Sequence, residues 1–306
     1  LANTDCCSGL CSANVCVGPA LPNVVAGNLT IDGPGTLPPD YECITEVTGT
    51  LQIAPNPING ALPPLNFASL QLVGGGFVIV GTSTIASAHF PLLTDIGAGF
   101  THYGTEPLLL SLPALDTVGS YLFFYGDELT LALPSLSSLA VPITIAPLAP
   151  AGALDLSFSA LAAGESVFVY GVTASSSIAF PALTSLTGSV VAGYTDADPD
   201  ALSFPSLTTL GGDLQVAGSA SNSPGGTLWS DLSTFASVQS VDRLIVRNNT
   251  SMTGLGLTSL TSVSDSVIIR WNTALDCALA QALLGQLGGL PPTATVDGNL
   301  AGCSLP

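Results

Sequence analysis

Phe204-Pro-Ser-Leu-Thr-Thr-Leu-Gly-Gly-Asp-Leu-Gln-Val216 holds one complete structural instruction. The proline turns the chain, Leu207 and Leu210 present an apolar edge, and the paired glycines allow a tight turn. Leu214-Gln-Val then alternates apolar and polar side chains, as a half-buried strand does. The first part recurs as Phe90-Pro-Leu-Leu-Thr-Asp-Ile-Gly, Leu112-Pro-Ala-Leu-Asp-Thr-Val-Gly, Leu133-Pro-Ser-Leu-Ser-Ser-Leu and Phe180-Pro-Ala-Leu-Thr-Ser-Leu-Thr-Gly. The strand part recurs as Leu29-Thr-Ile, Leu51-Gln-Ile, Phe77-Val-Ile, Phe100-Thr-His, Leu122-Phe-Phe, Ile143-Thr-Ile, Val167-Phe-Val, Val190-Val-Ala, Leu244-Ile-Val and Val267-Ile-Ile, with a weaker copy at Ala294-Thr-Val. Repeats of this length mean stacked coils. Each coil places one strand in a long parallel sheet and turns at the proline. It then sets the Leu-x-x-Leu residues on the opposite wall. The expected fold is all-β: a right-handed β-solenoid of about 11–12 leucine-rich coils.

The ends read as caps, which a solenoid needs to cover its open core. Residues 1–23 form a cysteine-rich segment, 24–272 the solenoid and 273–306 a C-terminal cap. Asp276 to Leu287 carries Leu279, Leu283 and Leu287 at helical spacing, with Asp276 able to start a helix and Gly288 to end it. Of seven cysteines, Cys277 and Cys303 bracket this cap and are natural intrachain partners. Cys6, Cys7, Cys11, Cys16 and Cys43 are an odd set, so one is free or bonds another chain. This density suits an oxidising, extracellular setting. Leu1 is not a start methionine, which fits a processed chain.

The repeats resemble the receptor L-domain family of leucine-rich β-helices, in its bacterial secreted or surface form. Gly27-Asn-Leu-Thr-Ile, Glu42-Cys-Ile-Thr-Glu-Val-Thr-Gly-Thr-Leu-Gln-Ile and the Leu/Phe-Pro-x-Leu elements carry the likeness across about residues 24–303. Cys6-Cys-Ser-Gly-Leu-Cys-Ser-Ala-Asn-Val-Cys16 resembles the latter half of a knottin-like module. The family hosts receptors, adhesins and wall proteins, so the resemblance implies a fold and a surface role rather than one activity.

Composition narrows the function. With three arginines, no lysine and 21 carboxylates, the net charge is -18. Nothing there neutralises a phosphate backbone, so nucleic acid and anionic membranes are unexpected partners. The apolar run from Ala132 to Gly164 is broken by four prolines and does not read as a membrane span. Catalytic signals are weak. His102 falls at an inward strand position and reads as a satisfied core histidine, while His89 precedes Phe90-Pro and reads as a turn residue. Asp127 and Glu128 are adjacent acids without a basic or aromatic cleft, so no enzyme is expected. Asp196, Asp198 and Asp200 alternate as calcium ligands do, although Ala201 stands where a calcium loop turns on glycine. Calcium is therefore an alternative to a cofactor-free chain. Asn28, Asn248 and Asn249 each start an N-glycosylation pattern.

The outward strand positions are the sharper clue. Val78, Val80, Tyr103, Phe123, Tyr125, Phe168, Tyr170, Val191, Ile245 and Ile268 give an apolar, aromatic face, with Arg247 and Arg270 near its end. Asp32, Asp40, Glu42 and Glu46 lie at the opposite end, an arrangement that suits contact between copies. The expected role is a non-enzymatic secreted or cell-surface structural protein that self-associates, with extracellular filaments as one product. A receptor-like adhesion module for a glycan or protein ligand is the alternative.

Overall fold

The computed structural model describes residues 11–12, 15–16, 23–38, 40–59, 61–81, 85–126, 128–146, 153–172, 176–193, 201–218, 229–289 and 291–300. The chain is a β-solenoid of about 10 turns with one C-terminal helix. Among the described residues, its front wall is a parallel ladder of twelve rungs. They are Leu29–Ile31, Leu51–Ile53, Phe77–Gly81, Phe100–Gly104, Leu122–Gly126 and Ile143–Ile145, then Val167–Tyr170, Val190–Gly193, Leu214–Ala217, Ser240–Arg247, Ser262–Arg270 and Thr293–Asp297. The register follows the sequence repeat: Leu29 lies beside Leu51, then Phe77, Phe100, Leu122, Ile143, Val167, Val190, Leu214, Leu244, Val267 and Ala294. The weak copy at Ala294 is the last rung.

The coil has three sides where two walls were expected. Between the front wall and the proline element runs a seven-stranded parallel sheet that includes Leu108–Ser111, Leu129–Ala132 and Asp155–Ser157. His89 belongs to this wall, in Ser87–His89, and not to a turn. Leu108, Leu110, Leu129 and Leu131 point inward while Leu109 and Thr130 point out. Proline then ends the wall. Phe90 still donates its N–H to Ser111 O at 2.9 Å, but Pro91 has none to donate, and the chain bends. Leu93 and Ile96, both buried, line the third side.

Glycine at the closing corner is required by crowding. A Cβ on Gly97 would sit 2.2 Å from Gly74 O, and one on Gly119 would sit 2.1 Å from Gly97 O. Inside, phenylalanines at the end of the seven-stranded wall stack on their counterparts one coil away. Phe158 and Phe180 lie 4.7 Å apart with planes 6° from parallel, and Phe180 and Phe204 lie 4.9 Å apart at 3°. These separations match the strand spacing of a sheet, so identical rings stack without strain.

Helix α1 (Cys277–Gln286) closes the C-terminal turn. The Asp276 carboxylate accepts from Ala278 N at 2.9 Å and so caps the first turn. Ala280, Leu283 and Leu284 face the core with Leu287, whereas Leu279 is 41% exposed and not part of the buried stripe. Gln286 Nε2 donates to the carbonyls of Leu257 and Leu260 at 2.9 and 2.7 Å, which fixes the helix to the preceding coil. At the other end, Cys11–Ser12 and Val15–Cys16 form an antiparallel pair. Cys43 and Cys277 are not free thiols. Cys6, Cys7 and Cys303 lie outside the described residues.

Candidate functional site

The front wall presents its even positions to solvent. Val78, Val80, Phe123, Tyr125, Phe168, Tyr170, Val191, Ile245, Arg247, Ile268 and Arg270 are half-buried, and Tyr103 is 46% exposed. Their partial burial comes from the ladder itself, because each outward side chain leans on its neighbour one strand spacing away. Thr101, Phe123, Thr144, Phe168 and Val191 form one continuous column. In the next column Tyr103 pairs with Tyr125, but Gly193 and Ala217 are buried, so that column is interrupted between Tyr170 and Arg247.

The aromatic rings are ordered among themselves. Tyr103 and Tyr125 stack at 5.2 Å and 22°, and Phe123 and Tyr125 at 5.7 Å and 9°. Parallel rings at these distances cannot lie side by side in one plane, so they form a slipped pile. Tyr121, 45% exposed, adds a third column that sequence reasoning missed. Its ring occupies the space above Gly99, where a Cβ would come within 2.3 Å of it. The small residue at Gly99 beside a tyrosine one repeat later was the available signal. Four of the six tyrosines, Tyr103, Tyr121, Tyr125 and Tyr170, thus share this wall.

All three arginines of the chain also stand on it. Arg243 Nε donates to Asp213 Oδ1 at 2.8 Å, and a second bond joins the other guanidinium nitrogen to Oδ2. These hydrogen bonds raise the Arg243 pKa further above its ordinary value. Arg270 donates to Asp297 at 2.6 Å and lies 4.3 Å above the Trp271 ring. Arg243 and Arg270 are thereby neutralised within the chain, and of the two arginines in the end-to-end complementarity expected from the sequence, Arg270 is taken up in this way. Arg247 has a buried Nε without a hydrogen-bond partner. The Arg243–Asp213 pair is solvent-facing, so Arg243→Gln is expected to change stability by less than about 1 kcal/mol in urea titration.

His102 is fully buried, as expected, but it is not satisfied: neither ring nitrogen has a hydrogen-bond partner. Its rung neighbours Ile79 and Phe124 are apolar, and burial pushes its pKa down to about 4. Asn249, read as a glycosylation acceptor, is also fully buried. It starts an asparagine ladder. Asn272 Oδ1 accepts from Asn249 N and Nδ2, both at 3.1 Å, and Asn299 Oδ1 accepts from Asn272 N and Nδ2 at 3.0 and 3.1 Å. Each ladder residue follows a corner residue with positive φ: Asn248, Trp271 and Gly298.

Asp127 and the acidic triplet Asp196, Asp198 and Asp200 lie outside the described residues. Among the described residues, no three His, Cys, Asp or Glu side chains converge as metal ligands would, and no helix is long and apolar enough to cross a membrane. No family model matches this chain, and no solved structure matches it.

Proposed function

We propose that the chain is a secreted or cell-surface structural protein, without catalytic activity, that self-associates through its front wall and contributes to extracellular filaments. The observation that carries this reading is the ordered pile of Tyr103, Tyr125 and Phe123 on a sheet face that also carries Val78, Val80, Phe168, Val191, Ile245 and Ile268. A soluble monomer gains nothing from such a surface in water, whereas rigid, pre-stacked rings lose little freedom when covered. An L-domain type of coil, a Cys277–Cys303 bond and one interchain bond among the N-terminal cysteines belong to the same proposal.

Sedimentation velocity tests it. The native protein is expected to form reversible assemblies at micromolar concentration, and Tyr125→Asp to weaken them by at least about tenfold, the equivalent of about 1.4 kcal/mol. A chain that stays monomeric throughout that range contradicts the reading. The four clustered tyrosine hydroxyls favour a second reading, an adhesion module for a glycan or protein. Retention on immobilised polysaccharide that Tyr125→Ala abolishes, with no self-association, selects it.

A further inference from the structure

We infer that the front wall joins two copies of this chain face to face about a two-fold axis, giving a closed pair. This rests on the reading that the wall self-associates, and adds its symmetry and its response to salt. The argument starts from charge. All three arginines stand on the front wall against five carboxylates, Asp32, Asp213 and Asp297 in its outward columns and Asp242 and Asp265 beside Arg243, so the wall is close to neutral. The other 16 of the 21 carboxylates fall elsewhere in the sequence, where there is no lysine or arginine. With every lysine or arginine charge of the chain on this wall, two such molecules repel each other least through it.

That selects the occupant. A cationic partner is drawn to the acidic remainder of the chain, free of lysine and arginine, rather than to the wall that holds all three arginines. A second copy brings the same near-neutral wall, so the pair adds little like-charge repulsion at the contact. The dimensions agree. Twelve rungs at the strand spacing of a sheet span about 50 Å, and three outward columns span about 15 Å. The resulting footprint, about 750 Å² per copy, is close to the roughly 800 Å² per partner of a standard specific interface. One patch meeting its own copy is isologous, and an isologous contact closes after two chains. Filament growth therefore uses contacts outside this wall.

The experiment is sedimentation velocity on the full chain across a sodium chloride series, with Phe123→Asp and Tyr170→Asp as variants and circular dichroism as a check on folding. Raising ionic strength from about 0.01 M to about 1 M shortens the screening length from about 30 Å to about 3 Å. Repulsion between the acidic bodies is then removed, and the pair is expected to tighten at least about tenfold. Mass is expected to plateau at twice the 30.6 kDa of one chain, and each aspartate variant to lose the pair while keeping its fold. Assemblies that weaken with salt, that grow past two chains through this wall, or that survive both substitutions overturn the closed pair while leaving self-association standing. A chain that is monomeric at every salt concentration removes both.

Discussion

Asn272→Ala is expected to destabilise the C-terminal coils by about 4 kcal/mol and to leave the N-terminal coils unchanged. Asn272 is fully buried, and its side chain makes four kinds of contact at once. Its Oδ1 accepts the backbone and side-chain N–H groups of Asn249, and its Nδ2 donates to Val246 O at 3.0 Å and to Asn299 Oδ1. Alanine leaves the buried Asn249 backbone N–H without that acceptor and takes a donor from Val246 O. Each buried group left unsatisfied costs about 1–3 kcal/mol, and the vacated side-chain volume adds to that. Asn272→Leu is expected to be no better, because it fills space without restoring a partner. Repeats of a solenoid contact only their neighbours, so the loss stays local. Native-state hydrogen exchange is the direct measurement. Amides of Leu244–Arg247 and Val267–Arg270 are expected to exchange faster, while those of Phe77–Gly81 keep their protection. A uniform change along the whole ladder, or no change at all, contradicts the account.

What the sequence made visible follows from the period of each element. Front-wall strands alternate with period two, and their apolar starts from Leu29 to Val267 share one register because a one-residue slip would expose every buried side chain. The proline elements were visible because proline and glycine act at fixed offsets. The C-terminal helix was visible because Asp276 and the leucine spacing agree, although Leu279 sits on the wrong side of the stripe. The seven-stranded wall was not visible. Leu129-Thr-Leu-Ala runs directly into Leu133-Pro, so strand and turn merge into one apolar stretch without punctuation.

The asparagine ladder was legible in principle. Asn249, Asn272 and Asn299 each stand five residues after an aligned rung start, at Leu244, Val267 and Ala294. Reading Asn249 with its following residues as a glycosylation pattern hid that spacing. The outward character of Phe123, Tyr125, Phe168 and Tyr170 was legible from alternation alone. Their mutual stacking, and the pairing of Arg243 and Arg270 with acids 30 and 27 residues away, depend on the coil length that brings those positions together.

The same contrast between position and partner applies to His102. Its inward direction follows from strand alternation, but whether anything bonds it depends on walls built from distant parts of the chain. With Ile79 and Phe124 beside it and no hydrogen bond on either nitrogen, the folded protein holds the imidazole neutral until the pH reaches about 4. In the unfolded chain the same group takes up a proton near pH 6.5. Between those values the unfolded state binds a proton that the folded state does not, so stability falls as the pH falls through this window. The contribution is complete above about pH 6.5 and gone below about pH 4. At 1.36 kcal/mol per pH unit, the loss across it is about 3 kcal/mol. His102→Leu removes the titrating group and the two unpartnered nitrogens together. Urea titrations at pH 7 and pH 4 are therefore expected to show the native chain losing about 3 kcal/mol more than the variant between the two conditions. The variant is also expected to be the more stable of the two at pH 4. Parallel losses in both proteins would mean that His102 gains a partner or a path to water that its apolar surroundings do not supply.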